Sequence, residues 1–82
     1  MDAYKAHEYS SGNQKMLKKD KKCGCFYCLA IFSPDEIFEW IGSGPDATAI
    51  CPYCSVDSVL SESAGYPLTR ESLKEMHKIW FE

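Results

Sequence analysis

The stretch Cys23-Gly24-Cys25-Phe26-Tyr27-Cys28, answered downstream by Cys51-Pro52-Tyr53-Cys54, decides how this chain folds. Each stretch holds a C-x-x-C pair, and 22 residues, 29–50, separate Cys28 from Cys51. Two residues between cysteines let both sulfurs turn toward one ion from a single tight bend. Two such bends supply four thiolates, the donor set of a structural zinc site. The spacing predicts Cys25, Cys28, Cys51 and Cys54 as ligands of structural Zn2+, with no open position left for water or substrate. The same sulfurs can hold iron, and a metal-free core of reduced thiols is the remaining alternative. Cys23 reads as an outer, non-ligating thiol, although it could stand in for Cys25. Its neighbours Lys21 and Lys22 could lower its pKa and make it reactive, although a bystander thiol is the plainer reading.

Size makes the metal matter. A chain of 82 residues buries a limited core and needs a staple. Binding a structural zinc ion contributes about 10 kcal/mol or more in peptide-sized folds. At 45% hydrophobic and 26% charged, the composition is that of a folded globular chain. No apolar run is long enough to span a bilayer. Met1-Asp2-Ala3-Tyr4-Lys5 lacks the basic-then-apolar order of a secretory signal. A cytoplasmic location, with thiols kept reduced, is therefore the expectation.

Charge is uneven. Residues 1–22 carry six lysines against three acids, and residues 23–82 carry three basic residues against nine acids. Residues 1–22 thus read as a basic helical arm, and 23–82 as the zinc-binding domain. Lys15, Lys18, Lys19, Lys21 and Lys22 form the one segment able to meet a nucleic-acid backbone; the acidic body is a poor match for phosphates. A solvated helix face is the plainer reading.

Local signals place the elements. Ser11-Gly12-Asn13-Gln14 fits a helix start capped by Ser11, after a few frayed residues. Ser33-Pro34-Asp35-Glu36 is a capping box with proline at the first helical position, and predicts a short helix to about Trp40. On that helix Ile37, Phe38 and Trp40 would face a core. Ala47-Thr48-Ala49-Ile50 reads as a strand, and Val56, Val59 and Leu60 as a strand or single helical turn. Thr69 caps the last helix, whose apolar face is Leu73, Met76, His77 and Trp80. Phe26, Tyr27 and Tyr53 are expected to pack around the metal rather than to stack on bases. The expected fold is α+β: a zinc-ribbon or treble-clef-like core with short helices.

No catalytic constellation is visible. A His-Asn-His nuclease needs a histidine between its cysteine pairs, and residues 29–50 contain none. Thioredoxin-like redox chemistry needs a longer βαβ setting. His77 reads as a packed residue, and His7 lies in the arm. The expectation is a non-enzymatic protein-interaction module, with nucleic-acid binding through the lysines as the alternative.

The set Cys23-Gly24-Cys25-Phe26-Tyr27-Cys28, Ile31-Phe32, Trp40, Thr48-Ala49-Ile50-Cys51-Pro52-Tyr53-Cys54, Asp57-Ser58-Val59, Gly65-Tyr66-Pro67 and Met76-His77 resembles a family of small bacterial proteins of unassigned function, usually described as cytoplasmic. The likeness runs from about His7 to Phe81. It implies a zinc-bound fold and carries no activity. Where the second knuckle usually has glycine after its last cysteine, this chain has Ser55.

Overall fold

A computed structural model describes residues 2–82; Met1, which opens the expected arm, lies outside the described residues. The chain forms helices α1 (Ala3–Ala6), α2 (Gln14–Lys19) and α3 (Arg70–Phe81). Its strands are β1 (Cys23–Cys25), β2 (Ile31–Phe32), β3 (Trp40–Ile41), β4 (Thr48–Ala49) and β5 (Val59–Ser61). The architecture is a small α+β one, with short helices on two small antiparallel sheets. The larger sheet has the order β2-β1-β5 and the smaller is β3-β4. Cys23 stands opposite Phe32 and Ser61, and Cys25 opposite Val59.

The central sheet sorts residues by the period-two rule of a strand. Cys23, Cys25 and Val59 point into one cluster with Leu17, Phe32, Ile37, Ala49 and Cys51. Leu60 points into a second cluster on the opposite face, with Ala3, Ala6, Phe26, Tyr66, Leu73 and Met76. Between the two cysteines of β1 stands Gly24, where a Cβ would lie 3.0 Å from Leu73 Cδ1 and 3.4 Å from Leu68 Cδ2. Glycine here lets α3 lie directly on the sheet. Thr69 caps α3 as the sequence predicts, its hydroxyl accepting from the Ser72 N–H at 3.1 Å.

Residues 3–19 are built into both clusters. Ala3 and Ala6 of α1 are buried beneath α3, and Leu17 of α2 is buried beside the cysteines. The chain therefore does not fray through α1. Ser11 does not cap α2. The residue before the helix is Asn13, and its side chain bonds elsewhere. Its amide donates to Val59 O at 2.9 Å and Tyr9 O at 3.1 Å, and its Oδ1 accepts from Ala49 N at 3.1 Å. One buried side chain thereby joins the N-terminal segment to β4 and β5. At the other end of α2, the Asp20 carboxylate accepts from the Ser61 hydroxyl and from the Ser63 N–H and hydroxyl. These bonds outweigh its partial burial, and with Lys19 they hold the Asp20 pKa below the usual carboxylate range.

The helix expected over 34–40 stops after one turn. The capping box forms: Asp35 N donates to Ser33 Oγ and Ser33 N to Glu36 Oε2. It caps only a 3-10 turn, Pro34–Glu36, because Ile37 is already extended at φ −73°, ψ 124°. Trp40 and Ile41 pair with Ala49 and Thr48 instead. β-Branched and aromatic residues favour that pleated surface over a helix. Extension buries Ile37 and turns Phe38 outward, 76% exposed, so Phe38 does not reach the core.

Candidate metal centre

Each C-x-x-C occupies a tight turn, and the two turns share one hydrogen-bond plan. In the first, Leu29 N donates to Cys25 O at 2.9 Å and Cys25 N to Ala30 O at 2.9 Å. In the second, Ser55 N donates to Cys51 O at 2.9 Å and Cys51 N to Val56 O at 3.0 Å. The first sulfur of each pair also accepts from the backbone: Tyr27 N reaches Cys25 Sγ at 3.3 Å and Tyr53 N reaches Cys51 Sγ at 3.4 Å. The residue after each second cysteine closes its turn in the left-handed region, Leu29 at φ 68° and Ser55 at φ 66°. Ser55 thus adopts the conformation that glycine usually supplies there. Leu29 does the same, with no glycine to announce it.

The four sulfurs of Cys25, Cys28, Cys51 and Cys54 lie within 4.8 Å of one another. Cys25 and Cys54 are 3.6 Å apart, and Cys28 and Cys51 3.7 Å. A tetrahedral zinc with bonds of about 2.3 Å sets its sulfurs about 3.8 Å apart, so the donor set fits the ion. The two first cysteines are buried and the two second cysteines half-buried. The turns arise from local sequence. Their meeting does not: β1 leads into the first, β4 into the second, and β5 returns alongside β1.

Burial raises the Cys25 thiol pKa, but the Ser58 hydroxyl, the Cys28 and Tyr27 N–H groups and the Cys54 sulfur outweigh it and hold the group below the usual thiol value. Burial pushes Cys51 up to about 11 and moves Cys54 higher still. Four thiols cannot all ionise side by side without a cation, and a divalent metal removes that conflict.

Cys23 lies outside the group. It is 0% exposed, and its sulfur contacts Phe32 O at 3.5 Å. Burial, followed by the charges of Cys51, Glu36, Cys25 and Asp20, pushes its thiol up to about 12. The lowering that Lys21 and Lys22 could bring does not occur, because both lysines are exposed while the sulfur faces the core, in keeping with a bystander thiol.

The aromatic expectation is not met: Phe26 is buried, but in the cluster on the face of the sheet opposite the cysteines. Tyr27 and Tyr53 are exposed. Tyr53 leans edge-on against Phe32 with ring centroids 5.4 Å apart, and its hydroxyl donates to Glu36. That bond, then the Ser33 N–H, holds the Glu36 pKa down. Tyr27 meets Phe81 edge-on at 4.9 Å. His7 stacks on Trp80 at 3.9 Å, and the His77 ring lies 5.6 Å from Tyr27. Lys15, Lys18, Lys19, Lys21 and Lys22 are all exposed. A surface hollow of about 420 Å³ opens beside Lys15 and Lys19, floored by Tyr9, Asn13 and Met16.

Among the described residues, no helix is long and apolar enough to cross a membrane. No protein-family model matches the chain, and neither a curated protein nor a solved structure matches it. The class that fold and site define is a small α+β protein with a four-cysteine cluster suited to a metal ion.

Proposed function

We propose that the cluster is a structural zinc site and that the domain it braces is a non-enzymatic module that binds another protein. The closed set of four sulfurs carries the reading. Four protein donors fill a tetrahedral ion, so a bound zinc supplies cross-linking and no open coordination position. Both pairs sit in turns and neither opens a helix, which supports a zinc ribbon over a treble clef. The resemblance to small bacterial cytoplasmic proteins agrees with this reading.

The proposed protein-binding surface adjoins the first knuckle. Tyr4, Tyr27, Trp80 and Phe81 are exposed. Tyr4 meets Trp80 edge-on at 5.9 Å, and Phe81 bridges Phe26 and Tyr27. Exposed aromatic surface on an otherwise acidic body suits a protein partner better than a phosphate backbone. The test is native mass spectrometry for one zinc per chain, followed by affinity capture from host lysate. A specific protein captured by the wild type and lost with Tyr27→Ser plus Phe81→Ser supports the module. Capture unaffected by those changes refutes this surface.

The exposed lysines on and after α2 favour a second reading, nucleic-acid binding. Retention on single-stranded DNA that falls steeply with salt, and falls again when Lys15, Lys18 and Lys19 become glutamine, would select it.

A further inference from the structure

We propose that Ser58 belongs to the metal centre as a positioning residue, its hydroxyl donating to the Cys25 thiolate and fixing that corner of the tetrahedron. The proposal rests on reading the four cysteines as a metal site and adds a fifth side chain to it. Ser58 Oγ lies 3.0 Å from Cys25 Sγ, and Ser58 is 1% exposed. At that burial a hydroxyl needs a partner, and the sulfur is the one it has. The sulfur is a metal ligand only as thiolate, so the hydroxyl must be the donor.

Strand pairing holds the hydroxyl in place. Ser58 O accepts from Phe26 N at 3.0 Å, and the next residue, Val59, stands opposite Cys25. Ser58 is therefore locked beside the first knuckle although it lies 33 positions beyond Cys25 in the sequence. Three donors converge on this sulfur: the Ser58 hydroxyl and the N–H groups of Tyr27 and Cys28, at 3.0, 3.3 and 3.5 Å. No other sulfur of the four receives a side-chain hydroxyl among the described residues. The centre is thus lopsided. Cys25 is the anchored corner, where donated protons disperse the charge of a net-negative tetrathiolate. Outer partners of this kind orient ligands and tune the metal.

The experiment compares wild type with Ser58→Ala, measuring zinc affinity by competition with a chromophoric chelator and the spectrum of the Co(II)-loaded protein. Loss of the hydroxyl should weaken zinc binding about 10–100-fold. It should also move the sulfur-to-cobalt charge-transfer band to lower energy while the tetrahedral d–d bands persist. A purely structural serine would not move the charge-transfer band. Affinity within about twofold of wild type, with an unmoved band, overturns the proposal and leaves the metal site standing. A wild type that binds neither ion overturns the metal reading itself. Should Ser58→Ala not fold, wild type loaded with cadmium-113 decides the matter by NMR. Scalar coupling from the metal to a protected Ser58 hydroxyl proton supports the bond, and its absence overturns it.

Discussion

Replacing Asn13 tests whether one buried amide, rather than the cysteines alone, holds the N-terminal segment on the sheets. Asn13 is 3% exposed and makes three hydrogen bonds to backbone groups. In Asn13→Ala, Val59 O and Ala49 N lose their partners in buried positions. Each orphaned group costs about 1–3 kcal/mol, so the pair costs about 4 kcal/mol. Total stability for a domain of this size is about 4–12 kcal/mol. With a urea slope of about 1.5 kcal/mol/M, the midpoint of the metal-loaded protein should fall by about 2.5 M. Asn13→Asp is the sharper probe. It keeps the shape but puts an acceptor where the amide donated, facing two carbonyl oxygens. Burial and those oxygens disfavour its charge, so its folded pKa lies above the unfolded value near 3.9. The charge penalty is therefore absent below the unfolded pKa, grows as pH rises from there toward the folded pKa, and levels off above it. Relative to wild type at each pH, Asn13→Asp should lose stability as pH rises above about 4, while the Asn13→Ala offset stays flat. A loss under about 1 kcal/mol for Asn13→Ala, or a flat Asn13→Asp profile, would refute the reasoning.

Three further outcomes are expected. Ser55→Gly should raise stability by about 0.5–1 kcal/mol, because glycine removes the left-handed strain at an exposed position and gives back part of the gain as unfolded-chain freedom; thermal melting reads this, and an unchanged midpoint counts against it. Asp20→Asn should cost about 1 kcal/mol through weaker bonds to Ser61 and Ser63. Since the Asp20 pKa is depressed in the folded state, that stabilisation is present above about pH 4 and lost only as pH falls through the folded value; denaturation curves should show a constant gap from about pH 5 to 8. Cys23 should resist iodoacetamide in the folded protein and react on unfolding, and mass spectrometry of labelled peptides would detect the contrary.

Legibility follows the range of the interaction. The capping box at Ser33 and Glu36 and the cap at Thr69 are written within four residues, and both form as the sequence predicts. The C-x-x-C turns are equally local. What the chain does with Ile37 to Ile41 is not local: the capping signal is real, but pairing with β4 ends the helix after one turn. The Ser11 cap does not form because α2 starts at Gln14, two residues later than a Ser11 cap requires, and Asn13, which precedes the helix, turns its side chain to partners 36 and 46 residues downstream. Cys23 stays outside the ligand group as its spacing suggests, and strand alternation, which sends its sulfur inward, outweighs the two adjacent lysines that could have activated it. Leu29 in a left-handed turn has no glycine to betray it; its signal is the repeat of the knuckle itself, one residue past the second cysteine, as at Ser55.

By itself the sequence determined that two short bends would each offer a pair of sulfurs, that short helices and strands would surround them, and that the charge would divide between the ends. Those properties depend on neighbours a few bonds apart. Only the tertiary structure decided that the four sulfurs meet within metal-binding distance, that Ser58 bonds to one of them, that Asn13 and Asp20 fasten the N-terminal segment, and which aromatic rings stay outside. Each of these depends on strands brought together from distant parts of the chain, where pairing register fixes which face every side chain takes.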